Sequence, residues 1–254
     1  MAQKRNEYIL QELEEKGSVR VADLSKQLKC SDVTIRNDIQ KLEERGLLFR
    51  THGGATKLGA QIAVVYSAGN VYKCADKKQR IAEKAYEYIE DRDTIILDDG
   101  SISYYLAKCI REKTSKHLVV ITNSLVAAGI LTDLNHIDLF LLGGQVGGKL
   151  AATMGDVTVR NLEECHADKA FISAYGINFE VGITSIDSPQ MQVKKAILKA
   201  AKDVFLLVDS SKFGGGYVLA VCPLSRISRI ITDDEIDKEY SDRAKSDHVE
   251  MDIV

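Results

Sequence analysis

Six apolar runs of strand length recur through most of a 254-residue chain, at 94–97, 118–121, 138–142, 170–174, 204–208 and 229–231. Segments of helical pattern separate them. No other feature restricts the fold as much, because strands alternating with helices specify an α/β domain on a mostly parallel sheet. Each run also ends in small or polar residues. These are Asp98-Asp99-Gly100-Ser101, Thr122-Asn123-Ser124, Gly143-Gly144, Tyr175-Gly176, Asp209-Ser210-Ser211-Lys212 and Thr232-Asp233-Asp234. Ligands of open α/β sheets bind outside the carboxyl ends of the strands, where these clusters converge.

The residue types at that edge suit a small polyhydroxylated anion. Gly100, Gly143 and Gly144 let backbone N–H groups approach oxygens, and Ser101, Ser103 and Thr122 offer hydroxyl donors. Asp98 and Asn123 are suited to fixing sugar hydroxyls, and Lys212 or Lys169 to supplying positive charge. Any one cluster reads more readily as a turn or a helix cap, and only several on one edge bring a ligand site level with that reading. Catalysis on a phosphosugar usually needs a positioned His or Glu. His117, His136 and His166 precede apolar runs, at the opposite end of the sheet, while His52 and His248 lie in the N-terminal module and the tail. Asp98, Asp99 and Asp209 remain as carboxylates. The expectation is a binding site with no catalytic residue and no metal.

The first 57 residues have a different texture. Ile9, Leu10 and Leu13 line one helix that Gly17 can end; Val21, Leu24 and Leu28 line a shorter second one. Lys29-Cys30 makes a turn, Ser31 caps a third helix, and Ile35, Ile39 and Leu42 form its inward stripe. Helix, tight turn and a polar, basic second helix make a helix-turn-helix pattern, with Ser31, Thr34, Arg36, Asn37 and Lys41 toward DNA. The segment 47–54 reads as a strand and glycine turn, a wing with Arg50, His52 and Gly53 toward phosphates. The same spacing also suits a three-helix packing module with a solvated polar face. Domains are therefore expected at 1–57 (winged helix-turn-helix), 58–75 (linker) and 76–254 (α/β domain, opening with a helix over 76–90).

Charge qualifies the DNA reading. The whole chain carries −3, but residues 1–57 hold 11 Lys and Arg against 9 Asp and Glu. So mild an excess implies local contacts, duplicated by oligomerisation. Five widely spaced cysteines form neither zinc pairs nor a disulfide framework, and read as reduced thiols. The apolar runs are too short for a membrane span, and no signal-peptide core follows the basic start, so a cytoplasmic protein is expected.

Read in order, the motifs resemble the deoxyribose-operon repressor (DeoR) family of bacterial transcription regulators. The resemblance runs through Arg5, Ile9, Leu13, the block Ser31-Asp32-Val33-Thr34-Ile35-Arg36-Asn37-Asp38-Ile39, then Leu42-Glu43, Gly46, Arg50 and His52-Gly53-Gly54-Ala55. It continues through Lys78, Ile81-Ala82, Thr122-Asn123-Ser124, Leu142-Gly143-Gly144, Asp168-Lys169-Ala170-Phe171, Gly182-Ile183-Thr184, Asp209-Ser210-Ser211-Lys212-Phe213-Gly214 and Thr232-Asp233. The resemblance implies a sensor domain similar to ribose-phosphate isomerases and glucosamine-phosphate deaminases, which binds a phosphorylated sugar and no other cofactor. On that analogy the effector contacts Asp98, Gly100, Ser101, Ser103, Thr122, Asn123, Gly143, Gly144 and Lys212. Operator DNA is the other partner, bound by a homodimer or homotetramer.

The family's loop after the first strand is usually Asp-Ser-Gly-Thr-Thr-Thr; here it is Asp98-Asp99-Gly100-Ser101-Ile102-Ser103. A usual Asp-Gly-Ile becomes Tyr175-Gly176-Ile177. Asp99 and Ile102 are therefore where ligand choice is expected to be decided. The expected function is a repressor of a sugar operon controlled by a phosphosugar. The competing readings are a sugar-phosphate isomerase or deaminase carrying a helix-turn-helix, and a regulator that has lost its effector and answers to a partner protein.

Overall fold

The computed structural model describes residues 2–44, 48–51, 53–56, 74–147, 151–215 and 219–254. The chain divides into two compact units, Met1–Ala68 and Gly69–Val254. The expected linker falls almost wholly outside the described residues; within it, Cys74 is a turn and Ala75 opens a helix.

The first unit contains helix α1 (Ala2–Lys16), strand β1 (Ser18–Arg20), helices α2 (Val21–Leu28) and α3 (Asp32–Glu44), and strands β2 (Phe49–Thr51) and β3 (Gly54–Thr56). Gly17 stops α1 in the left-handed region at φ 72°, its N–H reaching Leu13 O at 2.9 Å. Lys29 takes φ 50° in the turn between α2 and α3, where Ser25 Oγ donates to Cys30 O at 2.6 Å. Ser31 caps α3, accepting from Thr34 N at 3.3 Å. Ile9, Leu13, Leu24, Ile35, Ile39, Leu42 and Leu48 form one closed core. The inward stripe of α3 also holds an acid, Asp38, buried and paired with Arg5 of α1. The three strands pair antiparallel in the order β1-β3-β2 and form the wing. Gly54 permits this, since a Cβ there would lie 1.8 Å from Val19 O.

The second unit is built on a parallel sheet of seven strands. Along the chain come α4 (Ala75–Glu87), β4 (Thr94–Leu97), α5 (Ser101–Glu112), β5 (Leu118–Thr122), α6 (Leu125–Leu131) and β6 (Ile137–Leu141). A ribbon of β7 (Gln145–Gly147) and β8 (Ala152–Met154) precedes α7 (Asp156–Glu163) and β9 (Ala167–Ile172). Then follow β10 (Gly176–Asn178), β11 (Gly182–Ser185), α8 (Ser188–Ala200), β12 (Ala201–Leu207), β13 (Leu219–Cys222), β14 (Arg229–Thr232), α9 (Lys238–Ser246) and β15 (Met251–Ile253). The main sheet has the order β15-β14-β12-β9-β4-β5-β6, all pairs parallel, and β10-β11-β13 form a small antiparallel sheet. Ile95, Ile96, Leu97, Phe171, Leu206, Ile230 and Ile231 are fully or almost fully buried, as strands covered on both faces require.

The strand order fixes the place of the site. From β4 the chain steps outward to β5 and β6, then returns to the other side of β4 with β9 and continues to β12, β14 and β15. The direction reverses between β4 and β9, and such a switch point leaves a crevice beyond the strand ends. Ile35→Ala should destabilise the N-terminal unit by about 2–5 kcal/mol, because it empties part of a closed core. Thermal or urea unfolding followed by circular dichroism measures the loss.

Candidate functional site

At the switch point one carboxylate organises the backbone of both strand ends. Asp98 follows β4, is 1% exposed, and collects five donors on two oxygens. Its Oδ1 accepts from Gly100 N at 2.8 Å and Ser103 Oγ at 2.7 Å. Its Oδ2 accepts from Ser173 N at 2.6 Å, Ser173 Oγ at 2.8 Å and Lys194 Nζ at 2.5 Å. Lys194 lies on the inward face of α8, also buried. Burial opposes the charge on Asp98, but the Lys194 ammonium and the Ser103 and Ser173 bonds outweigh it and hold the carboxyl below its ordinary range. Burial likewise opposes the charge on Lys194, and Asp98 and Asp99 raise it again. The pair is a buried ion pair, with its remaining bonds supplied locally.

The next residue has the opposite fate. Asp99 is 5% exposed, and its carboxyl is pushed up to about 6. Burial is the largest cause, Lys194 opposes it, and Asp98 and Asp187 add repulsion. Asp99 lines a cleft with Gly100, Ser101, Ile102, Ser173, Ala174, Tyr175, Gln190, Lys194, Leu207, Val208, Asp209 and Lys212. Its space, counted out to the open mouth, is about 570 Å³.

Two cationic elements meet in this cleft. Helix α5 starts at Ser101 behind Gly100, with no side-chain cap on its first turn, so its N–H groups and dipole favour an anion. Lys212 ends the short 3₁₀ turn Ser210–Lys212, which Asp209 caps through Ser211 N at 3.1 Å. That turn is tied to the rest of the unit. Ser210 N donates to Asp233 Oδ2 at 2.6 Å, and Lys77 of α4 reaches Asp233 at 2.9 Å, Glu235 at 2.7 Å and Ser210 Oγ at 3.3 Å. Gly100 is equally constrained, since a Cβ there would lie 2.5 Å from the Ser173 side chain.

On α3 the residues Arg36, Asn37, Gln40 and Lys41 form an exposed strip opposite the buried Ile35, Asp38, Ile39 and Leu42. The Ser31 and Thr34 hydroxyls share a hydrogen bond at 2.9 Å, within the cap of the helix. Gly53 is exposed in the turn between β2 and β3.

Two family models match this chain: the DeoR-like helix-turn-helix domain over residues 5–60 and the DeoR C terminal sensor domain over residues 73–234. The chain belongs to the DeoR family of transcriptional regulators. Among DeoR relatives, the HTH-type transcriptional regulator IolR of Bacillus subtilis is 31% identical, covering 94% of this chain and 92% of its own. A putative aga operon transcriptional repressor of Escherichia coli O157:H7 is 28% identical over 98% and 93%. A lactose phosphotransferase system repressor of Staphylococcus epidermidis is 31% identical over 91% and 91%. A ribose 5-phosphate isomerase A from Methanocaldococcus jannaschii is 23% identical over 55% of this chain and 54% of its own, with a TM-score of 0.39, too low to argue from.

The expected sensor residues of this DeoR chain divide by position. Gly100, Ser101 and Lys212 line the cleft. Asp98 and Ser103 lie beneath it as a buried support. Thr122 is buried, donating to Leu97 O at 2.8 Å, and Asn123 donates to Thr153 O at 3.1 Å. Gly143 and Gly144 follow β6, two strands from β4, where Gly143 O accepts from Thr158 Oγ1 at 2.8 Å. These last four share the sheet edge but not the cleft. Lys169 lies at the start of β9 and pairs with Asp93 at 2.7 Å, away from the carboxyl ends. In the first unit Ser31, Thr34, Arg36, Asn37, Lys41 and Gly53 are placed as described, whereas His52 lies outside the described residues. Arg50 falls on β2, its side chain outside them as well.

Ser173, Gln190 and Lys194 were not singled out by the strand-end pattern. Lys194 had a signal: it shares a helical face with Ile197 and Leu198, an apolar stripe where a lysine needs a partner. No group of acidic, His or Cys side chains suited to a metal ion occurs among the described residues, and no described helix is long and apolar enough to cross a membrane.

Lys194→Met should cost about 3–5 kcal/mol in urea unfolding, since it strands the Asp98 charge; adding Asp98→Asn should return part of the loss. Asp99→Asn should act in the opposite direction. The folded state binds the Asp99 proton more tightly than the unfolded chain, so this group lowers stability as pH rises from about 4 to about 6, with the full penalty above. The substitution should therefore stabilise by up to about 3 kcal/mol at pH 8 and by little near pH 4, measured as paired urea titrations across pH.

Proposed function

We propose that this chain is a transcriptional repressor of a sugar-utilisation operon, and that a phosphorylated sugar in the cleft between β4, β9 and β12 controls its operator affinity. The observation that carries the sensor reading is the uncapped N-terminus of α5 facing a cleft shared with Lys212, at the topological switch point. A phosphate suits the helix end and the lysine. The hydroxyls of a sugar suit the acceptors along the rest of the cleft. Binding without turnover is supported by the histidines: His117, His136 and His166 precede β5, β6 and β9, at the amino ends of the strands. Asp98 already has five donors, Lys194 among them, which leaves it poorly suited to moving a proton.

On the DNA side, Arg36 and Asn37 have the chemistry for guanine and adenine edges, and Lys41 for a phosphate. Val33, which a search for polar residues passes over, is 66% exposed in the first turn of α3 and suits the methyl group of thymine. Ser31 and Thr34 hold the helix start. A paired arrangement of two such modules, as in a homodimer or homotetramer, compensates for the weak basic charge of one.

The experiment is a titration of the protein against DNA from its own upstream region, with and without a panel of phosphosugars. Operator binding that one phosphosugar changes several-fold, by a coupling of about 1–3 kcal/mol, supports the reading. Arg36→Ala should cost about 1–3 kcal/mol and relax discrimination at one base pair. Steady turnover of any phosphosugar by the purified chain, or operator binding indifferent to all of them, overturns the sensor reading.

A further inference from the structure

The turn that brings Lys212 into the cleft is also bonded to α4, the first helix of the sensor unit among the described residues. The turn is stiff for its size. Lys212 N donates to Asp209 O at 3.0 Å and Phe213 N to Ser210 O at 3.3 Å, so Ser210 and Lys212 move together. Ser210 gives its N–H to Asp233 at 2.6 Å, and Lys77, in the first turn of α4, meets Asp233, Glu235 and the Ser210 hydroxyl. Asp233 is fully buried and also accepts from Glu235 N at 3.1 Å. Burial opposes its charge, but the bonds from Lys77 and Ser210 outweigh that and hold the carboxyl below its ordinary range. Arg80, one turn further along α4, adds an exposed tie to Asp234 at 2.7 Å.

The far end of the turn is held by packing instead. Phe213 stacks on Tyr240 of α9 at 5.7 Å, and a Cβ on Gly214 would lie 2.0 Å from the Tyr240 hydroxyl. Directional, charge-assisted bonds therefore lead from the cleft to α4. Just ahead of α4, Cys74 takes φ 55° and ψ 44°, in the left-handed region, and gives the helix no side-chain cap. A Cβ makes that conformation costly, and such a residue stays in it only while its surroundings hold it there. The ion pairs of Lys77, three residues on, supply the hold. An ordinary backbone conformation is available to Cys74 if they shift. Cys74 lies between the DNA-binding unit and α4 along the chain, so it is a two-state backbone element on the route from one to the other.

We propose that Lys77 couples the cleft to the DNA-binding unit: a phosphate drawn onto Lys212 displaces the turn, and Lys77 passes the displacement to Cys74, which changes its backbone conformation. This rests on the phosphosugar reading given above and adds its route of control. Lys77 is a positioning residue in this scheme. It acts through Ser210 and Cys74 and touches no ligand.

The test measures operator affinity of the full chain by fluorescence anisotropy, with and without glucose 6-phosphate, fructose 6-phosphate, fructose 1-phosphate and galactose 6-phosphate. Calorimetry follows the binding of each probe directly. In the wild type at least one probe should change operator affinity about tenfold, within the range of such couplings. Lys77→Met combined with Asp233→Asn leaves no stranded carboxylate at the junction. This double variant, checked for an intact melting transition, should still take up the probe and the operator, while the probe changes operator affinity less than about twofold. Lys77→Arg keeps the ion pairs and should keep most of the tenfold effect. Cys74→Gly, which removes the cost of the left-handed conformation, should shift operator affinity about threefold or more at one of the two probe conditions. A tenfold effect that survives in the double variant overturns the inference, as does a double variant that no longer takes up the probe. Loss in Lys77→Arg as complete as in the double variant overturns the assignment to the ion pairs, and an unchanged Cys74→Gly overturns the assignment to Cys74; each leaves the phosphosugar reading standing. A wild type whose operator binding none of the probes changes overturns that reading and this inference together.

Discussion

The sensor unit depends on the carboxylate of Asp98. Two strands that are neighbours in the sheet but far apart in the chain, β4 and β9, end side by side. Both must leave the sheet in different directions, so their last backbone donors would otherwise be unsatisfied. Asp98 takes N–H groups from Gly100 on one side and Ser173 on the other, and α8 contributes Lys194 to hold the charge. Such a pair adds little net stability over an apolar replacement, yet it is intolerant of losing one member. Its value lies in geometry: it aligns the start of α5 with the loop after β9, and the cleft is the space left between them.

The N-terminal unit uses the same device on a smaller scale. Asp38 lies on the inward side of α3 among Ile35, Ile39 and Leu42, and Arg5 reaches it from α1. An aliphatic stripe alone leaves α3 free to rotate or slide against α1, whereas an ion pair on a buried acid favours one orientation. That orientation turns Arg36, Asn37 and Lys41 outward together. In both units a buried acid is answered by a cation from another helix or, for Asp98, from across the sheet.

Much of this was legible in the sequence because periodicity is local. The helices of the first unit, the strands β4, β5, β6, β9, β12 and β14 of the main sheet and the cap at Ser31 follow from spacing and residue type, and helix α4 starts and ends near where its apolar stripe does. What could not be read is mostly non-local. Strand β15 is three half-exposed residues that pair with β14 at the edge, and nothing in Met251-Asp252-Ile253 announces it. Strands β10, β11 and β13 form a separate antiparallel sheet only by meeting in space. The clusters after β5 and β6 looked equivalent to those after β4 and β12, but strand order separates them. Thr122 and the amide nitrogen of Asn123 turned out to donate to backbone carbonyls of their own unit. Lys194 escaped notice because a lone lysine in a helix usually faces water, and only the strand ends across the sheet show why this one does not.

The crowding at Gly100 has a further consequence. With the Ser173 side chain so close that even a methyl group has no room, the backbone of the loop after β4 packs directly on the loop after β9 at the bottom of the cleft. That floor can neither widen nor accept a new side chain, so it is a constant of the architecture. Ile102, Tyr175 and Gln190 stand around it on separate elements. The molecule thus separates a rigid base from an exchangeable rim, and descendants of this fold can acquire new ligands by changing the rim alone.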